Sequence, residues 1–174
     1  MVNYKLLNLI GEINEDMDNK VANFISTIIE EDNTSPIIIT INSNGGNIVS
    51  GFSIFNRLKS IPNQISTVIL GECCSVANII YLVASFNNRF AFPFTSFCLR
   101  SVFCENDDNI TKSETEARNY NEFIKTILKN RTSISEDTLD KIYTNNPSEI
   151  RYFYSKFENL KIGNIIHSFD NITL

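Results

Sequence analysis

The chain has 174 residues, 43% of them hydrophobic and 20% charged, with a formal net charge of −5 at pH 7. That length supports about one domain with a real core, and the balance describes a globular chain rather than a disordered or coiled one. The acidic charge and the lack of Lys/Arg runs argue against nucleic acid or an anionic membrane as partner, and no apolar stretch reaches the roughly 18–20 residues of a membrane helix.

In chain order, "YKLLNLI" reads as a strand, and Asn14–Asp18 as an acidic turn. Val21, Phe24, Ile25, Ile28 and Ile29 follow at the spacing of one apolar helix face. "PIIITI" (Pro36–Ile41) is a β-branched apolar run and predicts a strand buried on both faces. "NSNGGN" is a glycine turn, and "IVSGFSIFNRLKSI" has helical period. "ISTVIL" (Ile65–Leu70) predicts a second buried strand. "GECCSVANII" then reads as a small-residue turn opening into an apolar helix over Ser75–Ala84, in the middle of the core. "RFAF" and "SFCLR" are strand candidates on either side of Pro93, which completes an α/β layered domain.

The last third is more polar. "ENDDN" reads as an acidic loop, and Thr111–Arg131 as a long helix with a narrow stripe of Ala117, Tyr120, Ile124, Ile127 and Leu128. So narrow a stripe suits a helix that projects or packs on a partner. Ser155–Glu158 matches a capping box, with Gly163 as the helix stop, and "NIIHSF" and "NITL" read as short closing strands. Residues 1–10 lack signal-peptide architecture, and the chain is expected to start at its first strand, as a mature or trimmed form.

The cysteines are Cys73, Cys74, Cys98 and Cys104, without C-x-x-C spacing. Adjacent Cys73 and Cys74 are poorly placed to bridge one another, so the reading is free, buried thiols in a reducing compartment. With one histidine in the chain, His167, a zinc site is not expected. No cofactor is expected either.

Gly45 and Gly46 lie between a buried strand and a helix, where glycine lets backbone amides approach a ligand. Ser75 heads the next strand–turn–helix unit. Two such units side by side bring backbone N–H groups near a serine hydroxyl, as in an oxyanion hole; tight βα turns would give the same residues.

The runs "ITINSNGGNIVSGFSIFNRLKSI", "STVILGECCSVANIIYLVAS" and "NRFAFPFTSFCLR" resemble, in order and without a gap between Gly46 and Pro93, the ClpP family of serine peptidases. The likeness runs from about Tyr4 to Ile166. It implies a ClpP/crotonase-type α/β fold of repeated ββα units in a single domain. The head would take about residues 1–105 and 147–174, and a projecting handle about residues 106–146. It further implies heptameric rings that meet through their handles. Ser75 matches the family's nucleophile, and Gly46 and Val76 match its oxyanion-hole amides.

The helpers of that nucleophile are different. A serine hydroxyl needs a base to take its proton, and the family supplies a histidine oriented by an aspartate. The matching residues are Arg100, seven after Pro93, and Arg151, twelve before Gly163. Arginine stays charged and cannot serve as a base. His167 falls in a stretch that the family fold places elsewhere. Two cations at triad positions need acidic partners, for which Glu72 and Glu105 are candidates, or would bind an anion such as a peptide carboxylate. At three positions where the family docks its hexameric ATPase, the residues are Ile38, Thr40 and Ser60, which predicts weakened docking.

The resemblance is therefore strongest to the family's inactive ClpR-type subunits, which implies a structural or regulatory role in ring assembly, with self and an active ClpP homologue as partners. A plastid-type (apicoplast-like) stroma and a bacterial-type cytoplasm both fit the free thiols. Three other readings stay open: an active serine endopeptidase with an unconventional base, acyl-CoA binding of the crotonase kind, and a lone ring without a Clp partner.

Overall fold

A computed structural model describes residues 3–31, 34–102, 110–143 and 149–172. The elements in chain order are β1 (Lys5–Ile10), α1 (Glu15–Glu30), β2 (Ile37–Ser43), α2 (Ile48–Ser60), β3 (Ile65–Cys74), α3 (Ala77–Tyr81), β4 (Arg89–Ala91), β5 (Ser96–Arg100), α4 (Ile110–Arg131), α5 (Glu136–Tyr143), β6 (Glu149–Phe153) and β7 (Asn164–Ile165). The architecture is α/β.

One sheet carries the strand order β1-β2-β3-β4-β7, all parallel. Ile37–Ile41 are buried without interruption, as a central parallel strand covered on both faces requires. β3 serves two neighbours. Thr67–Ile69 pair with β4, and Glu72–Cys74 pair with β5, which β6 then joins antiparallel. A register shift between Ile41 and Ser43 accompanies that change of partner. Residues 71–74, read from sequence as a turn, are thus strand, and the pairing of Glu72–Cys74 with β5, distant in sequence, is what extends it.

α1 starts inside the acidic segment expected to be a turn. Asn14 Oδ1 accepts the Met17 N–H at 3.0 Å, and Glu15, Asp16 and Asp18 occupy the first turn, where the helix dipole favours them. The buried face is Met17, Val21, Ile25 and Ile28, while Ile29 is exposed. α3 lies in the core as expected, but it is five residues long rather than Ser75–Ala84. It ends in a tighter turn, with the Val83 N–H on the Ile80 carbonyl at 3.1 Å, and the Tyr81 carbonyl accepts the Thr67 hydroxyl at 2.9 Å.

On α4 the stripe buries Ala117, Ile124 and Leu128, with Asn121 beside them clamping both backbone groups of Val102 at 2.7 and 3.0 Å. Arg89, buried on β4, donates to the Arg131 carbonyl at 2.8 Å and so fixes the C-terminus of α4 to the sheet. Burial lowers Arg89 to about 10.

The end of the chain departs from expectation. Tyr154–Lys156 is a 3-10 turn without a side-chain cap, and the Glu158 carboxylate instead accepts the Ile165 N–H at 3.5 Å. Gly163 is needed for room: a Cβ there would lie 1.9 Å from the Tyr81 hydroxyl. A capping box does form, at Ser168 and Asn171, and it opens a 3-10 turn over Phe169–Asn171 where "NITL" was expected to start a strand. Cys104, Glu105 and the "ENDDN" loop lie outside the described residues.

Candidate active site

Ser75 sits at the exit of β3 with φ +56°. The left-handed region is costly for a residue with a Cβ. The turn is held by the Ser75 N–H on the Cys98 carbonyl at 2.9 Å and by the Asn78 N–H on the Ser75 carbonyl at 3.0 Å. Among the described residues the Ser75 hydroxyl has no hydrogen-bond partner.

Two glycines close on it. Gly45 has φ +98°, and a Cβ on it would lie 2.7 Å from the Ser75 Cβ. Gly46 bridges Ile13 through its neighbours: the Gly45 carbonyl accepts the Ile13 N–H at 2.8 Å, and the Asn47 N–H donates to the Ile13 carbonyl at 2.7 Å. In such a bridge the residue's own N–H faces the other way. The amides of Gly46 and Val76 have no protein acceptor among the described residues.

The other side of the site is built by sheet register. Glu72 pairs with Ser96 and Ser96 with Phe153; Cys74 pairs with Cys98 and Cys98 with Arg151; Arg100 pairs with Glu149. Side chains alternate along a strand, so Glu72, Cys74, Ser96, Cys98, Arg100, Glu149 and Arg151 share one face. The intervening Cys73, Phe97, Leu99, Ile150 and Tyr152 join the main core.

On the polar face the arginines are engaged. Arg151 donates to Glu72, to the Ser96 hydroxyl at 3.1 Å and to Glu149 at 3.1 Å. Arg100 donates to the Asn44 carbonyl at 3.1 Å and stands 3.9 Å from the other Glu149 oxygen. Glu72 pushes Arg151 above its ordinary value, followed by Glu149. The Cys98 thiol and then Arg151 hold Glu149 below the usual carboxylate range. The neighbouring Cys98 thiol lowers Cys74 from its ordinary value, while Cys74 and burial raise Cys98. Cys74, Cys98 and Glu149 also put their ligating atoms within 4.8 Å of one another.

The structure thus gathers Ser75, Gly46, Val76, Arg100 and Arg151 into one region. His167 is exposed and follows β7, which β4 separates from β3. Glu72 is a partner of Arg151, as the sequence suggested. Glu149 was missed, because only the β5–β6 register places it beside both arginines.

A family model described as Clp protease matches residues 1–163. The chain belongs to the Clp protease family. The ATP-dependent Clp protease proteolytic subunit 2 of Treponema denticola is 30% identical over 137 residues, 79% of this chain and 67% of that protein. Subunit 2 of Borreliella burgdorferi is 35% identical over 91 residues, and the match spans about half of that protein's length, 46%. Among solved structures, a point mutant of ClpP1 from Listeria monocytogenes superposes with a TM-score of 0.85 at 24% identity, over 97% of this chain and 95% of that one. A second ClpP1 structure from the same organism gives 0.79 at 24% identity, over 97% and 94%. The Clp protease chain therefore has the ClpP fold. No helix among its described residues is long and apolar enough to cross a membrane.

Proposed function

We propose that this chain is a catalytically silent, ClpR-type subunit that serves ring assembly in an ATP-dependent Clp protease. One observation carries the reading: the Ser75 hydroxyl has no base within hydrogen-bond reach among the described residues, while Arg100 and Arg151 fill the adjoining face and neutralise Glu72 and Glu149. In this reading Ser75 keeps the nucleophile's place, Gly46 and Val76 keep the oxyanion amides, and Arg100 and Arg151 stand for the histidine and the aspartate. Loss of a triad member typically costs several orders of magnitude in rate.

The same reading makes α4 and α5 the handle and the strands with α1–α3 the head. ClpP family members form oligomeric rings that pair with Clp ATPases. The chain would join such a ring with itself or with an active homologue. Docking of the ATPase would be weak: Ile38 and Thr40 are buried, Thr40 bonds Asn8 at 2.7 Å, and the Ser60 hydroxyl turns back to the Arg57 carbonyl at 2.7 Å.

The competing reading, an active endopeptidase with an unconventional base, draws on the left-handed Ser75 and the two free amides. Fluorophosphonate labelling of the purified chain, read by intact mass with Ser75→Ala as control, separates the two. The silent-subunit reading expects no adduct on folded protein. An adduct that Ser75→Ala removes would overturn it.

A further inference from the structure

The face beside Ser75 holds a grouping that peptide hydrolysis does not use. Cys74 on β3 and Cys98 on β5 are register partners, and Glu149 starts β6, the next strand across. Both thiols are buried, at 2% and 0% exposed, whereas Glu149 opens to solvent. The three ligating atoms lie within 4.8 Å of one another. Two soft sulfurs and one carboxylate oxygen, held by three adjacent strands, form a compact donor set that needs no histidine.

We propose that Cys74, Cys98 and Glu149 form a binding site for a thiophilic divalent cation of the zinc class. Three protein ligands leave a fourth tetrahedral position for water or another small ligand. Binding forms two metal–sulfur bonds and one metal–oxygen bond. The ion deprotonates the coordinating thiols, so two thiol protons pass to solvent for each ion bound.

The surroundings fit such an ion. A dication with two thiolates and a carboxylate leaves the cluster with one negative charge. Arg100 and Arg151 stand over that charge. Glu149 meets Arg151 through one oxygen at 3.1 Å, while its second oxygen is 3.9 Å from Arg100. Arg151 is in turn fixed by Glu72 and Ser96. A ligating carboxylate whose other oxygen is hydrogen-bonded is the usual outer-shell arrangement around a metal. The arginines that cannot act as bases thus stabilise an anionic metal–thiolate cluster. The proposal holds whether or not Ser75 reacts.

Cobalt(II) is the probe, added to the full chain after reduction and chelator treatment. The expected result is a thiolate-to-cobalt charge-transfer band with the intense visible bands of a tetrahedral site. The double variant Cys74→Ser with Cys98→Ser should abolish the charge-transfer band and Cys104→Ser should keep it. Because both cysteines are buried, Glu149→Gln provides a surface variant, expected to weaken cobalt binding by about tenfold or more. The site is overturned by any of three results: no thiolate band in the parent chain, a band that survives the double cysteine variant, or equal cobalt affinity in Glu149→Gln. None of these spectra reads Ser75, so the outcome is separate from the labelling experiment.

Discussion

The two sides of the site around Ser75 are built by different means. On one side stand Gly45, Gly46 and the left-handed Ser75, where backbone meets backbone and a Cβ on Gly45 would lie 2.7 Å from that of Ser75. On the other side, β5 and β6 carry side chains on a regular ladder, and the ladder accepts any side chain that finds a partner. The first side is locked by packing, so its shape survives whether or not it is used. The second can exchange a base for a cation at no cost to the fold, provided that acids such as Glu72 and Glu149 stand opposite.

The sharpest break of the first side is Gly45→Ala. The new methyl meets Ser75, and φ +98° is unfavourable for alanine. Left-handed strain and overpacking together cost about 3 kcal/mol. The expected fall in Tm is roughly 6–12 °C for a chain of this size. A variant as stable as the parent would mean that the loop yields and the side is not locked.

The second side is tested by Arg100→His. The new imidazole would lie opposite Glu149 on the ladder, near the Asn44–Gly45 loop that packs on Ser75. A positioned general base contributes at least about 100-fold, so fluorophosphonate labelling of Ser75 should rise by that order. An unchanged rate would show that the two sides no longer converge on the hydroxyl.

A smaller effect separates the ladder's charges from its shape. Glu149 is held below its ordinary value, so its ionised form contributes stability that is fully present above the unfolded glutamate value, about 4.3, and lost as pH falls through the lower folded value. Glu149→Gln should be less stable than the parent near neutrality. The gap should close as pH drops below about 4, as urea midpoints across that range would reveal. A gap independent of pH would assign the loss to packing.

Much of the fold was legible because periodicity records burial. The unbroken Ile37–Ile41 run gave a central strand, and the apolar spacing of α1 and α4 gave their inner faces. What stayed hidden depended on partners distant in sequence. Gly71–Cys74 looked like a turn because strand identity there comes from pairing with β5 rather than from propensity. Gly163 looked like a helix stop, yet it answers to the Tyr81 hydroxyl. At the site, Ser75 and the glycines were readable from local motifs. Glu149 and the Cys74–Cys98 pair were not, since register alone brings them together.

The slightest prediction bears on Ser75 itself. Left-handed backbone costs a non-glycine residue about 1–2 kcal/mol, and glycine gives back about 0.5–1 kcal/mol through the freedom it gains when unfolded. Ser75→Gly should therefore be the more stable protein, by up to about 1.5 kcal/mol. Ser75→Ala keeps the Cβ and the strain, and should match the parent. The pair of variants isolates backbone from hydroxyl: if alanine stabilises as much as glycine, the cost lies in the unpartnered hydroxyl, and if glycine alone does, it lies in the turn. In the second case the strain belongs to the side of the site that packing locks.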